Sequence, residues 1–417
     1  MVLVGILIRL VNFLLPKSYW GDERFSIELA SKPLWDILLG SFHDVHPPLY
    51  FILLGVFEPT PHSHFILWPR IASFLAGIAI LILSYKLSTL WFGKQVGKIT
   101  LFLVALSPYA LQAGQETRGY GLASALVLAC LYAATHKKVK TAALFGILAV
   151  WTEHYSWLVL LPIAALGAWP VAYLVLLGGF PMLALGVRQA LYSEHVFHAY
   201  RVAEYSDLIW KKVGGLALHF STGYRYSMLE WAEIPWQDSL FQFSIVITIL
   251  MVSLALIGLA KLRGKYLNLM LLGLVVPIMV LTATYPIRVD ARYFASLWPL
   301  YIMLVAVGLA WIDSFLRVFS MTLIGACLAL GMAYQVCLPY DPIHKEDWAS
   351  ANAYVATLSP HYDGILVTKL TNMQAHVREE HRREIEAEYP LHQYDGETRF
   401  PEDGLVVVYK LRSRHEQ

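Results

Sequence analysis

From the N-terminus to about residue 338 the chain alternates long apolar runs with short polar turns. A helix needs roughly 20 residues, at about 1.5 Å each, to cross a hydrocarbon core of about 30 Å. By that measure the runs at 1–16, 65–91, 98–113, 119–135, 140–153, 155–168, 170–190, 241–260, 266–284, 293–312 and 315–338 predict eleven transmembrane helices. Arg9 lies near enough to an end of the first run to snorkel to the interface. The apolar run Pro47–Phe57 covers only about 16 Å at helical rise, so it is expected to lie along the surface. Residues Arg24–Leu39 space Phe25, Leu29, Leu34, Ile37 and Leu38 among charges, as an interfacial amphipathic helix does, with Pro33 breaking or kinking it. The first long loop, 17–64, is thus expected to carry two juxtamembrane helices.

The basic residues test this layout. Compact Lys/Arg clusters fall at Gly93–Lys98, His136–Lys140, Lys261–Lys265 and the turn holding Arg317. All four lie on one side, the cytoplasmic one by the positive-inside rule, provided that Pro47–Phe57 does not span. The other side then receives 17–64, 114–118, the Glu153–Tyr155 junction, the second large loop 191–240, 285–292 and the tail. Every acidic, histidine and tyrosine cluster faces away from the cytoplasm.

Composition sharpens the picture. Of 417 residues 57% are hydrophobic and 15% charged, far from the roughly one-quarter charged of soluble domains. A net charge of +2 spread over small loop clusters gives no concentrated basic face, which argues against nucleic acid. Cys130, Cys327 and Cys337 lie in apolar runs and form neither a disulfide framework nor a CxxC pattern. The first segment lacks a basic n-region and a small-residue cleavage site before Trp20, so it reads as an uncleaved span. The tail, residues 339–417, holds 14 of the 30 acidic residues and 9 basic ones. A helical stretch Lys345–Leu358 and strand-like runs Gly364–Thr368 and Gly404–Leu411 predict a small water-exposed α/β domain there. The fold class is an all-α polytopic membrane domain, 1–338, followed by that domain, 339–417.

Candidate chemistry gathers in the polar clusters. Asp22-Glu23 opens the first external loop, as a general base for an acceptor or as a helix cap. His43-Asp44-Val45-His46-Pro47-Pro48 offers a His-x-x-His spacing around an aspartate, a weak metal pattern in a loop. If a divalent ion is used, Asp22, Asp44 and His46 are the expected set. Glu116-Thr117-Arg118-Gly119-Tyr120 places an arginine at the outer end of a span, suited to a phosphate or to plain interfacial anchoring. Arg288, Arg292 and Tyr293 do the same farther on. Glu153-His154-Tyr155 interrupts an apolar run of nearly thirty residues with two ionisable groups, which at such depth are functional by default.

Taken in order, the DE pair, HDVHPPLYF, RIASFLAG, SPYALQAGQETRGYGL and ARYFASLWP, with EDWASANAYV at the start of the tail, resemble the GT-C membrane glycosyltransferases. The similarity lies toward protein O-mannosyltransferases and lipid A aminoarabinose transferases and covers roughly residues 1–300. It implies inverting transfer of a sugar from a polyprenyl-phosphate or dolichyl-phosphate donor to an acceptor (protein, lipid or glycan) on the outer face of the plasma or inner membrane. It further implies Asp22, with Glu23 beside it, as the base, and Asp44 and His46 as the second motif. Arg118 (from Q-x-x-R-x-Y) and Arg292 (from RYF) are the implied donor-phosphate ligands, with Tyr120, Arg288 and Tyr293 nearby and Glu116, Glu153 and His154 as additional candidates. His46 stands where the aminoarabinose transferases carry lysine, so their acceptor is not implied. The large β-trefoil insertion of the mannosyltransferases is absent.

Two other readings compete. A multi-pass transporter or lipid flippase would use the polar loop and arginines as an external gate, but it should place ionisable groups mid-span in several helices. A scaffold subunit with a sensor tail leaves the acidic loop without a task.

Overall fold

The computed structural model describes residues 1–15, 19, 21–44, 46–56, 68–192, 209–223, 239–279, 291–337, 354, 364–369, 392–400 and 406–413. It divides into two compact units, Met1–Leu14 with Ser26–Tyr334, and Leu15–Phe25 with Gln335–Gln417.

In the first unit α1 (Val2–Leu14) turns Leu3, Leu7, Val11 and Leu14 outward and buries Gly5, Arg9 and Asn12. That inverts the amphipathic pattern of a soluble helix, as lipid on the outside requires. Arg9 does not snorkel: it is buried, its Nη1 donating to Gly5 O and its Nη2 to Val104 O, both at 3.0 Å. Val104 sits in the last turn of α6 (Lys94–Leu106), where its carbonyl has no N–H four residues on because residue 108 is proline. The guanidinium fills that place.

Three short helices follow α1, where two were expected: α2 (Gly21–Ala30), α3 (Leu34–His43) and α4 (Leu49–Gly55). The predicted Arg24–Leu39 helix is broken because Pro33 cannot continue a helix begun before it; it takes the N-cap place of α3 instead. At seven residues α4 is far too short to cross. The helix α5 (Ile71–Phe92) then precedes α6, and α7 (Pro108–Ala113) is separate from α6 because Ser107 is extended and caps α7, accepting from Ala110 N at 3.2 Å. The expected span 98–113 is therefore two helices.

Next come α8 (Gly119–Thr135), α9 (Val139–Thr152), a 3-10 stretch His154–Val159 running into α10 (Leu160–Ala165), and α11 (Trp169–Tyr192). Within the second large loop lies a helix the apolar pattern missed, α12 (Ile209–Thr222), burying Leu216, Leu218, His219 and Phe220. Its fourteen residues include two lysines and a histidine, which hid it from a search for long apolar runs. The helices α13 (Ser239–Lys261), α14 (Gly264–Met270) with a π turn Leu271–Val275, α15 (Trp298–Trp311) and α16 (Ser314–Cys337) complete the unit.

The pair α13 and α15 packs backbone against backbone. A Cβ added at Gly258 would strike Leu304 O, and one at Gly308 would strike Leu254 O, so the crossing depends on both glycines. Four helices have the length and apolarity to cross a membrane: Ile71–Phe92, Trp169–Gln189, Phe241–Lys261 and Ser314–Ala333. With several shorter apolar helices beside them they make an integral membrane protein.

In the second unit three antiparallel strands, β1 (Gly364–Lys369), β2 (His392–Phe400) and β3 (Val406–Ser413), pair in the order β1-β3-β2. Val367 faces Val408, and an irregularity between Tyr394 and Gly396 shifts the β2 register. The sequence showed β1 and β3; β2, HQYDGETRF, reads as polar and lacks the β-branched run that reveals the others. The expected helix Lys345–Leu358 lies outside the described residues apart from Tyr354.

Candidate active site

The centre of the first unit is built around Arg118, the extended residue that caps α8. Gly121, one turn in, lets α8 start close beside α7, since a Cβ there would strike Ala113 O. The guanidinium is buried at 5% exposure. Its Nη1 donates to Ser26 Oγ at 3.0 Å, and its Nη2 lies 3.0 Å from His46 Nε2. A guanidinium only donates, so His46 Nε2 accepts and the ring proton sits on Nδ1. That nitrogen lies 3.0 Å from Asp44 Oδ2. The order Asp44, His46, Arg118, Ser26 is a continuous hydrogen-bonded chain across three segments of the fold: the end of α3 with the residues after it, the start of α8, and α2. Pro47 and Pro48, both buried, fix the exit of the Asp44–His46 turn into α4.

Tyr120 closes one side. Its hydroxyl stands 3.3 Å from His46 Nε2, and its ring lies 5.7 Å from the guanidinium carbon of Arg118. The guanidinium carbon of Arg292, from the 3-10 turn Ala291–Phe294, is also 5.7 Å from that ring. Two cations therefore flank one aromatic face system, each gaining from its quadrupole. Tyr293 stands edge-on to Tyr120 at 6.1 Å and stacks on Tyr155 at 5.4 Å, which in turn meets Phe294 at 5.6 Å. The result is a pair of guanidiniums backed by aromatic rings.

Glu153 and His154 border this cluster. Glu153, 5% exposed, has its carboxyl pushed up by burial, with Arg118 and the backbone N–H groups of Tyr155 and His154 pulling the other way. Its Oε2 has no hydrogen-bond partner among the described residues. His154 is pushed down to about 4 by burial, so it is neutral at pH 7, and its Nε2 lies 2.6 Å from Gln189 Oε1. Glu116 is buried and accepts from Gln112 Nε2 at 2.6 Å; Gln112 Oε1 stands 3.4 Å from His219 Nε2 on α12.

Of the residues expected from the sequence, Asp44, His46, Arg118, Tyr120, Glu153, Arg292 and Tyr293 come together. Asp22 and Glu23 occupy the first turn of α2, Asp22 partly exposed and Glu23 buried at 2%. They belong to the second compact unit, while Ser26 of the same helix belongs to the first. Arg288 and the His43 side chain lie outside the described residues. Among the described residues no group of three or more His, Cys, Asp or Glu is placed to hold a metal ion, and Asp44 Oδ2 is engaged by His46. Ser26, Gln189 and His219 were missed. For Gln189 a signal existed, a buried amide at the end of an otherwise apolar span.

No family model matches the chain, and no curated protein matches it by sequence. Among solved structures, ArnT from Cupriavidus metallidurans bound to undecaprenyl phosphate superposes with a TM-score of 0.50 at 12% identity, over 86% of this chain and 65% of that one. The apo form of that protein gives 0.49 at 13% identity with the same coverage. The Archaeoglobus fulgidus oligosaccharyltransferase in complex with Zn and sulfate gives 0.49 at 12%, over 86% of this chain and 55% of that one. The chain thus spans less than two thirds of the length of these structures. Over the part that superposes, the chain shares its fold with that ArnT structure.

Proposed function

We infer that the protein is an inverting membrane glycosyltransferase that takes a sugar from a polyprenyl-phosphate or dolichyl-phosphate carrier. The observation that carries this reading is the pair of guanidiniums, Arg118 and Arg292, flanking Tyr120, with Arg118 held by His46 and Ser26. A lipid phosphate leaving group needs that arrangement: as the anomeric C–O bond breaks, its electron pair passes to a phosphate oxygen, and preorganised cations stabilise the charge that develops. Burial pushes the Glu153 carboxyl up, which disfavours a full negative charge beside the two guanidiniums.

Asp22 is assigned as the base that takes the acceptor proton, with Glu23 as the alternative; its partial exposure against the burial of Glu23 favours Asp22. The acceptor attacks the face opposite the phosphate, which inverts the anomeric carbon. Asp44 orients His46, and His46 orients Arg118. Counting the six shorter apolar helices of the described residues and α6 with the four long ones, we read eleven crossings, with the site and the tail domain facing away from the cytoplasm.

The reading is tested by incubating purified protein in bilayers with polyprenyl-phosphate sugars and a panel of protein, lipid and glycan acceptors, and weighing the products by mass spectrometry. A sugar-sized mass gain on one acceptor, lost in Arg118→Ala, supports it. Movement of intact polyprenyl-phosphate sugar across the bilayer with no product favours the flippase reading instead.

A further inference from the structure

Two consecutive residues at the end of α11 grip the end of α3. Gln189 Nε2 donates to Ser41 O at 2.6 Å, and Arg188 Nη1 donates to Phe42 O at 2.6 Å. These are last-turn carbonyls of α3, whose final internal bond runs from Asp44 N to Gly40 O. Carbonyls at a helix end lack intrahelical partners, and a cation there also complements the helix dipole. Arg188 further lies over the Phe42 ring, 4.2 Å from its centroid.

The other face of the Gln189 amide is also used. Its oxygen lies 2.6 Å from His154 Nε2. With the Gln189 nitrogen committed to a carbonyl, the oxygen must accept, so His154 carries its proton on Nε2. Gly186, one turn earlier in α11, admits the imidazole, since a Cβ there would sit 3.0 Å from His154 Nδ1. Gln189 is 4% exposed. It therefore bridges two segments far apart in sequence: Ser41 in the last turn of α3, three residues before Asp44, and the junction carrying Glu153.

We propose that Gln189 is a positioning residue that sets the Asp44–His46 turn against Arg118 by joining Ser41 O to His154, with Arg188 as its second grip on Phe42 O. The inference rests on the donor-phosphate site described above. Its chain of action is short: Gln189 fixes the end of α3, the end of α3 fixes Asp44 and His46, and His46 holds the Arg118 guanidinium where phosphate arrives.

The test compares four variants, Gln189→Leu, Gln189→Glu, Arg118→Ala and the double Gln189→Leu/Arg118→Ala, with the wild-type chain in bilayers, reading polyprenyl-phosphate binding and amide hydrogen exchange over residues 40–50. Gln189→Leu removes both hydrogen bonds; it should weaken binding about tenfold and speed exchange in this segment several-fold without lipid present. Gln189→Glu in its protonated form restores both bonds, one oxygen accepting from His154 and the other donating to Ser41. It should match wild type at low pH and fall toward Gln189→Leu, relative to wild type at each pH, as the carboxyl ionises against the Ser41 carbonyl. On an Arg118→Ala background Gln189→Leu should add little further loss, because both act through one guanidinium.

Unchanged exchange in Gln189→Leu overturns the inference whatever the activity. So does a binding loss that adds fully to that of Arg118→Ala, or a Gln189→Glu variant as defective at low pH as Gln189→Leu. Altered exchange in a protein whose wild type binds no polyprenyl phosphate upholds the grip on α3 while refuting the donor-site reading and, with it, the role toward Arg118.

Discussion

Nη2 of Arg118 lies 3.0 Å from Nε2 of His46, whose other nitrogen is 3.0 Å from Asp44 Oδ2. The ring stands between the carboxylate and the guanidinium, and its Nε2 helps to hold the arginine in place. His46→Leu should therefore lower polyprenyl-phosphate affinity about tenfold, about 1.4 kcal/mol, by releasing Arg118. His46→Gln, whose amide oxygen can accept from Arg118, should lose less. Titration of purified protein with the lipid measures both.

Asp22→Asn should reduce turnover by roughly 10²–10⁴-fold, the usual contribution of a positioned base, while leaving polyprenyl-phosphate affinity near wild type. Glu23→Gln, run in parallel, should retain most of the turnover. A reversal of the two moves the base to Glu23.

Arg9 supplies the only side-chain donor found on Val104 O among the described residues. Replacing it by Met leaves a buried carbonyl unsatisfied inside the helix bundle, at about 1–3 kcal/mol. A lowered melting temperature in detergent or bilayers, only partly recovered by Arg9→Lys because an ammonium cannot span both carbonyls as a fork does, is the expected result.

Glu153 gives stability a pH signature. Its carboxyl is raised above the ordinary 4.5 by burial, so the folded chain holds the proton more tightly than the unfolded one. Below 4.5 both states are protonated and the group contributes nothing; as pH rises from there, stability falls until the folded carboxyl ionises. Glu153→Gln should match wild type in acid and outlast it increasingly at higher pH in thermal unfolding followed across pH 4–8.

The apolar runs made most of the membrane unit legible: α5, α8, α9, α11, α13 and α16 begin and end within a few residues of the expected spans. Failures came where a local rule competed with hydrophobicity. Ser107 splits the expected 98–113 span into two helices, whereas the break at Pro33 was legible, and α12 was masked by its lysines. Arg9 was misjudged because position in a run says how far a side chain could reach, whereas its actual place was set by a carbonyl 95 residues away. For the site, the motif residues Asp44, His46, Arg118 and Arg292 were readable one by one. Ser26 and Gln189 were not, because a hydroxyl or an amide gains its role only from what the fold brings opposite it.

Along α11, Trp169, Tyr173, Leu177 and Phe180 stand exposed as a lipid-facing flank, and Pro181 lies inside the helix before it reaches Arg188 and Gln189. The helix whose length must match the bilayer is thus the one whose last residues hold α3. A helix in a thicker or thinner membrane tilts or strains at modest cost per ångström. Lipid affinity measured in bilayers of graded acyl-chain length should pass through a maximum in wild type and lose that dependence in Gln189→Leu, making hydrocarbon thickness a regulator of the chemistry.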